Sequence, residues 1–130
     1  MLQSICVLIS AGCGVIPRFN EDNAIGALQA LRSAQENFKS NQGRYGTRAE
    51  LAASYSGIPA SREHGYLFTL EVNPETYVAL ATPTAFKERA ISLHLDQSGT
   101  IRGMYKKGEQ ANVMDPVLHG KGINPHLPAP

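Results

Sequence analysis

The sequence predicts an α+β fold: an N-terminal amphipathic helix packed on one face of a four-stranded antiparallel β-meander, followed by an irregular C-terminal tail. Three observations lead there. Apolar residues recur with a helical period through residues 20–41, and the period changes to two between Tyr66 and Tyr105. After Tyr105 regular patterning stops, and residues 106–130 hold four of the eight prolines.

The opening stretch, "MLQSICVLISAGCGVI", carries no charged side chain but is short of the ~20 apolar residues that a spanning helix needs. It reads as an export signal or as the lower part of a membrane anchor. Ser10-Ala11-Gly12-Cys13 has the small residues of a lipobox, which makes Cys13 the lipidation candidate; a plain apolar helix start or a mis-called start codon is the competing reading. On a helix, Cys6 and Cys13 would lie about 10.5 Å apart, beyond disulfide reach.

Beyond Pro17, Ala24, Ala27, Leu28, Leu31, Ala34 and Phe38 line one face of a helix running from about Asn20 to Asn41 and stopped by Gly43. Thr47 and Glu50 have the spacing of a capping box, so a short helix through Ser54 should follow. "SGIPASREHG" is rich in turn formers and reads as loop. Tyr66, Phe68, Leu70 and Val72 then alternate with Leu67, Thr69 and Glu71, Asn73-Pro74-Glu75 turns the chain, and "TYVALAT" forms a second strand. After the connection "PTAFKERA", Ile91, Leu93 and Leu95 make a third strand, and Ile101 to Tyr105 a fourth. The chain thus divides into 1–19, an apolar anchor or signal segment; 20–105, the helix and sheet; and 106–130, the tail.

Composition excludes more than it assigns. At 130 residues the chain is one domain with enough length for a single core. Twelve Lys and Arg against eleven Asp and Glu give a net charge of +1 without a basic run, which disfavours nucleic acid as a partner. His64, His94, His119 and His126 fall at spacings of 30, 25 and 7, and none gives the paired ligands of a zinc site. In "HLDQSGTIRG", Asp96 is not followed directly by Ser or Thr and Gly, and Ser98 lacks a G-x-S-x-G elbow; both read as turn residues of a hairpin. Tyr66, Phe68 and Tyr77 have the spacing of a stacking platform for carbohydrate or single strands, but alternate aromatics on one strand belong more often to a core. No nucleophile, base and orienter are identifiable together, so the expectation is a protein that is not an enzyme.

A family resemblance runs through the same residues. "NEDNAIGALQALRSAQENF" after Ile16-Pro17, then "GYLFTLE", "YVALATP" and "RAISLHLDQSGTIRG", resembles the type IV pilin-like and type II secretion pseudopilin subunits over about residues 15–105. The likeness implies a non-enzymatic structural subunit of the bacterial cell envelope, exported and anchored by its N-terminal segment in the inner membrane or by a lipid. It implies other pilin-like subunits or envelope proteins as partners, with Ala24, Ala27, Leu28, Leu31, Ala34 and Phe38 as the assembly face. It also brings in calcium, which major pseudopilins hold in C-terminal loops: Asp96 and Asp115, with Glu109, are the available carboxylates, a thin set for a cation that wants several converging oxygens. No cofactor is otherwise expected. The first residues lack the basic leader, the Gly-Phe cleavage site and the early Glu of such pilins. The expectation is therefore either a truncated start or a pilin-like head on a lipoprotein-like anchor, the latter being a small exported binding module.

Overall fold

The computed structural model describes residues 15–119, with side chains described for 18–118. Helix α1, Val15–Gln42, presents Ala24, Leu28, Leu31, Ala34 and Phe38 to the core, all buried. It ends at Gly43, whose φ of +78° lets its amide donate to the Lys39 carbonyl at 2.8 Å before the chain leaves the helix. Helix α2, Arg48–Ser54, starts on the capping box: the Thr47 hydroxyl accepts from the Glu50 amide, and the Glu50 carboxylate accepts from the Thr47 amide. Leu51 is the apolar residue that α2 buries. Between the helices, Gln35 is fully buried and clamps both backbone polar groups of one residue, accepting from the Gly46 amide at 2.8 Å and donating to the Gly46 carbonyl at 2.9 Å.

The sheet has six strands, not the four expected. They are β1 Arg62–Glu63, β2 Tyr66–Val72, β3 Tyr77–Pro83, β4 Ile91–Asp96, β5 Ile101–Tyr105 and β6 Val117–His119, ordered in space as in sequence and antiparallel throughout. The four inner strands fall where the period of two places them. The two additional strands are the edges, two and three residues long, too short to show an alternation. β1 exists because His64 and Gly65, both at positive φ (56° and 76°), make a two-residue hairpin turn that brings Glu63 opposite Tyr66. β6 lies within the tail expected to be irregular, so that expectation is corrected too. Pro116 does not block it, because a proline carbonyl can still accept, and here it takes the Gly103 amide at 2.9 Å.

One face of the sheet meets α1. Leu70, Ala79, Leu95 and Ile101 form one cross-strand row on that face, and Phe68, Ala81, Leu93 and Gly103 form the next. Small residues in these rows leave room for the helix. Gly103 has no room for a side chain, since a Cβ there would collide with the Ser92 carbonyl. Two polar contacts, about three helical turns apart on α1, fix the helix along the sheet. Glu21 accepts from the Ile91 amide at 3.0 Å, while the Ile91 carbonyl accepts from the Tyr66 hydroxyl at 2.6 Å. Arg32 donates to the Gly99 carbonyl at 2.9 Å.

Candidate functional site

The other face of the sheet carries the densest polar cluster. Alternation along β4 sends Leu93 and Leu95 to the helix side and Ser92, His94 and Asp96 to the opposite side. That opposite face is roofed at β4 and β5 by residues 106–116, which arch back over it before entering β6. The Ser92 hydroxyl donates to the Glu109 carbonyl, and Arg102 donates to the Asp115 carbonyl at 3.2 Å. Asp115 is itself buried. Its carboxylate accepts from the Asn112 amide at 2.9 Å and pairs with the Lys106 ammonium at 2.9 Å.

His94 lies under this arch, 6% exposed, with Arg102 as its neighbour on β5 and Leu80 on β3. Its Nδ1 is buried and has no hydrogen-bond partner. Burial pushes the His94 imidazole below its ordinary range; Asp96 opposes that, Arg102 adds to it, and Asp115 opposes it again. For Asp115, burial acts upward, but Lys106 and the Asn112 amide outweigh it and hold the carboxyl below the ordinary range. The cluster can therefore accept a proton at His94 and hold charge at Asp115. The hydroxyls near it are already committed, that of Ser92 to Glu109 and that of Ser98 to Asp96.

The residues singled out from sequence are placed as follows. Asp96, Ser98 and Gly99 make a turn: the Asp96 carboxylate accepts from the Ser98 amide and hydroxyl, and the Gly99 amide donates to the Asp96 carbonyl at 2.9 Å. The carboxylates of Asp96 and Asp115 thus have separate partners. Among the described residues, no group of three His, Cys, Asp or Glu side chains is placed to hold a metal ion. Tyr66, Phe68 and Tyr77 are in the core, 1–3% exposed. His64 sits on the exposed β1–β2 turn, 3.2 Å from Glu63, toward the opposite edge of the sheet from the arch. Five residues of the expected assembly face are buried against the chain's own sheet. Ala27 alone stands partly open, on a surface groove of about 370 Å³ between α1 and residues 57–64. Cys13 and His126 lie outside the described residues.

Lys106, Gln35 and Arg32 were not legible as site or clamp residues. Each acts on backbone or on a carboxylate across a loop, a relation that no periodicity encodes. Comparison with known protein families, with curated proteins and with solved structures finds no match to this chain. Among the described residues no helix is long and apolar enough to cross a membrane.

Proposed function

We propose that this chain is a non-enzymatic, pilin-like structural subunit of the bacterial cell envelope that acts through contacts along its long helix and the surface of its head. The observation that carries the reading is the shape of α1. At 28 residues it is about 42 Å long, and its first buried side chain among those described is Glu21. Phe19, two residues before the Glu21 contact to the sheet, is 62% exposed. An uncharged sixteen-residue run leads into this helix.

The face available to other subunits is not the Leu28–Leu31 stripe, which the sheet covers. It is the side bearing Phe19, Asp22, Asn23 and Gly26, next to the groove. Partners on this reading are further copies or related envelope subunits, with the N-terminal segment in or at a membrane.

The test places a photo-crosslinking benzoylphenylalanine at Phe19 of the full chain in bacterial membranes. A ladder of adducts rising in steps of one subunit is the expected result. A single adduct to one different protein, with a lipid on Cys13 in the mass of the mature N-terminus, would replace this reading with a lipid-anchored binding module. No adduct, with the chain recovered outside the membrane fraction, would remove both.

A further inference from the structure

We propose that His94 is a proton-operated latch for the 106–116 arch: while neutral it lets the arch lie closed on the sheet, and when protonated it releases the arch and β6 but leaves the helix–sheet core folded. This goes beyond the structural role proposed above and does not depend on it.

The geometry carries the argument. His94 is more than nine-tenths buried, and its buried Nδ1 has no hydrogen-bond partner. A neutral imidazole tolerates that position at the cost of one unmade hydrogen bond. A protonated one puts a full charge there and makes the buried Nδ1 a donor without a partner. Every neighbouring element bears on the outcome. From β5, Arg102 adds a like charge; from β3, Leu80 offers no compensation. On β4 itself, Asp96 is engaged by Ser98, and in the arch Asp115 is engaged by Lys106 and the Asn112 amide. A proton on His94 therefore competes with Lys106 for Asp115 instead of finding a free carboxylate.

The arch is the part positioned to yield. Its polar attachments to the sheet are Ser92 to the Glu109 carbonyl, Arg102 to the Asp115 carbonyl, the Gly103 amide to the Pro116 carbonyl, and a three-residue edge strand with a register shift at Ile101/Arg102; its apolar anchors are the small Ala111 and the partly buried Leu118. The core beneath rests on seven-residue strands and on α1. Local opening takes the least-bonded unit first.

The sign follows from linkage. A histidine held below its ordinary value favours the closed form when neutral, so closure is fully stabilised above the ordinary imidazole range, about pH 6.5, and weakens as pH falls from there through the value in the closed form. The experiment is amide hydrogen exchange on the intact chain from pH 7.5 to 5, expressed as protection factors so that the intrinsic pH dependence of exchange cancels. Protection at Gly103, Asn112 and Asp115 should fall by up to about tenfold per pH unit below pH 6.5, while amides of β2 and β3 hold theirs. His94→Gln should flatten the dependence at the arch.

Two further readouts cover a His94→Gln chain that does not fold. In the unaltered chain, the His94 imidazole should titrate below the ordinary histidine range by NMR. Lys106→Met, which frees Asp115 to meet a protonated His94, should shrink the acid-induced loss at the arch. The proposal is overturned if His94 titrates at or above the ordinary value with arch protection unchanged. It is overturned equally if the acid loss persists undiminished in His94→Gln, or if β2 and β3 lose protection together with the arch.

Discussion

At the scale of single residues, the turn at 96–99 and the buried carboxylate of Glu21 make opposite kinds of demand. Gly99 has a φ of +78°, and a Cβ there would stand 3.5 Å from the Arg32 side chain. Gly99→Val is expected to lower stability by about 1–2 kcal/mol, because an L side chain resists the left-handed conformation. Ser98→Ala removes a hydroxyl while leaving the Asp96 carboxylate its bond from the Ser98 amide, so its melting temperature should change little. Thermal melts of the two variants side by side separate a turn from a catalytic serine. Glu21 is held above the ordinary carboxyl range, chiefly by burial, against the opposing pull of the Ile91 amide and Arg18. A raised carboxyl contributes stability that is present below its unfolded value and lost as pH rises through the folded one. Glu21→Gln keeps an oxygen for Ile91 and removes the charge. It should therefore melt higher than the parent at pH 7 and nearly with it at pH 4; an advantage at pH 4 that vanishes at pH 7 would reverse the assignment.

At the scale of elements, the stripe on α1 is the decisive surface. Leu28 is completely buried, whereas Gln29 is half-buried at the flank. Leu28→Asp places an unpaired charge against the sheet and should cost about 3–5 kcal/mol. Gln29→Asp should cost about 1 kcal/mol or less; equal denaturation midpoints for the two would show that the wrong face had been assigned to the core. The same contrast explains which elements were legible in the sequence. Helix α1, the capping box of α2 and strands β2 to β5 announce themselves through period or local chemistry, since each is long enough to repeat a pattern. The edge strands β1 and β6 are formed by pairing, not by pattern. Ser56 to Gly65 reads as loop because Pro59, Gly57 and Gly65 dominate it, yet the His64-Gly65 pair fixes a hairpin. Lys106 and Asp115, nine residues apart in an aperiodic segment, reveal nothing until the chain folds back. His94 was legible as an outward residue of β4, but its roof was not. The fold class was thus correct as α+β and wrong in strand number, and the candidate site lay in the part of the chain with the weakest pattern.

At the scale of the whole molecule, two demands meet: how the head is held together, and in what order its parts come to exist. Stability without metal is expected, because the Asp115 carboxylate is neutralised by Lys106 within the arch. Melting of the full chain in EDTA and in millimolar calcium should coincide; a rise of many degrees on adding calcium would make Asp96 and Asp115 ligands after all. The sheet order follows the chain order, so each strand finds its partner across a short connection. The helix does not. Phe38 leaves the ribosome 63 residues before Ile101, the last strand residue of the core it packs on. At ordinary synthesis rates that interval is about 3–13 s, during which the apolar stripe of Leu28, Leu31 and Phe38 has no complete sheet to cover it. Helices form within microseconds, so the delay belongs to translation, not to folding. The nascent chain thus passes through a stage in which its most apolar surface is available to a chaperone or a lipid surface, and that surface disappears only when the hairpin of β4 and β5 has been made.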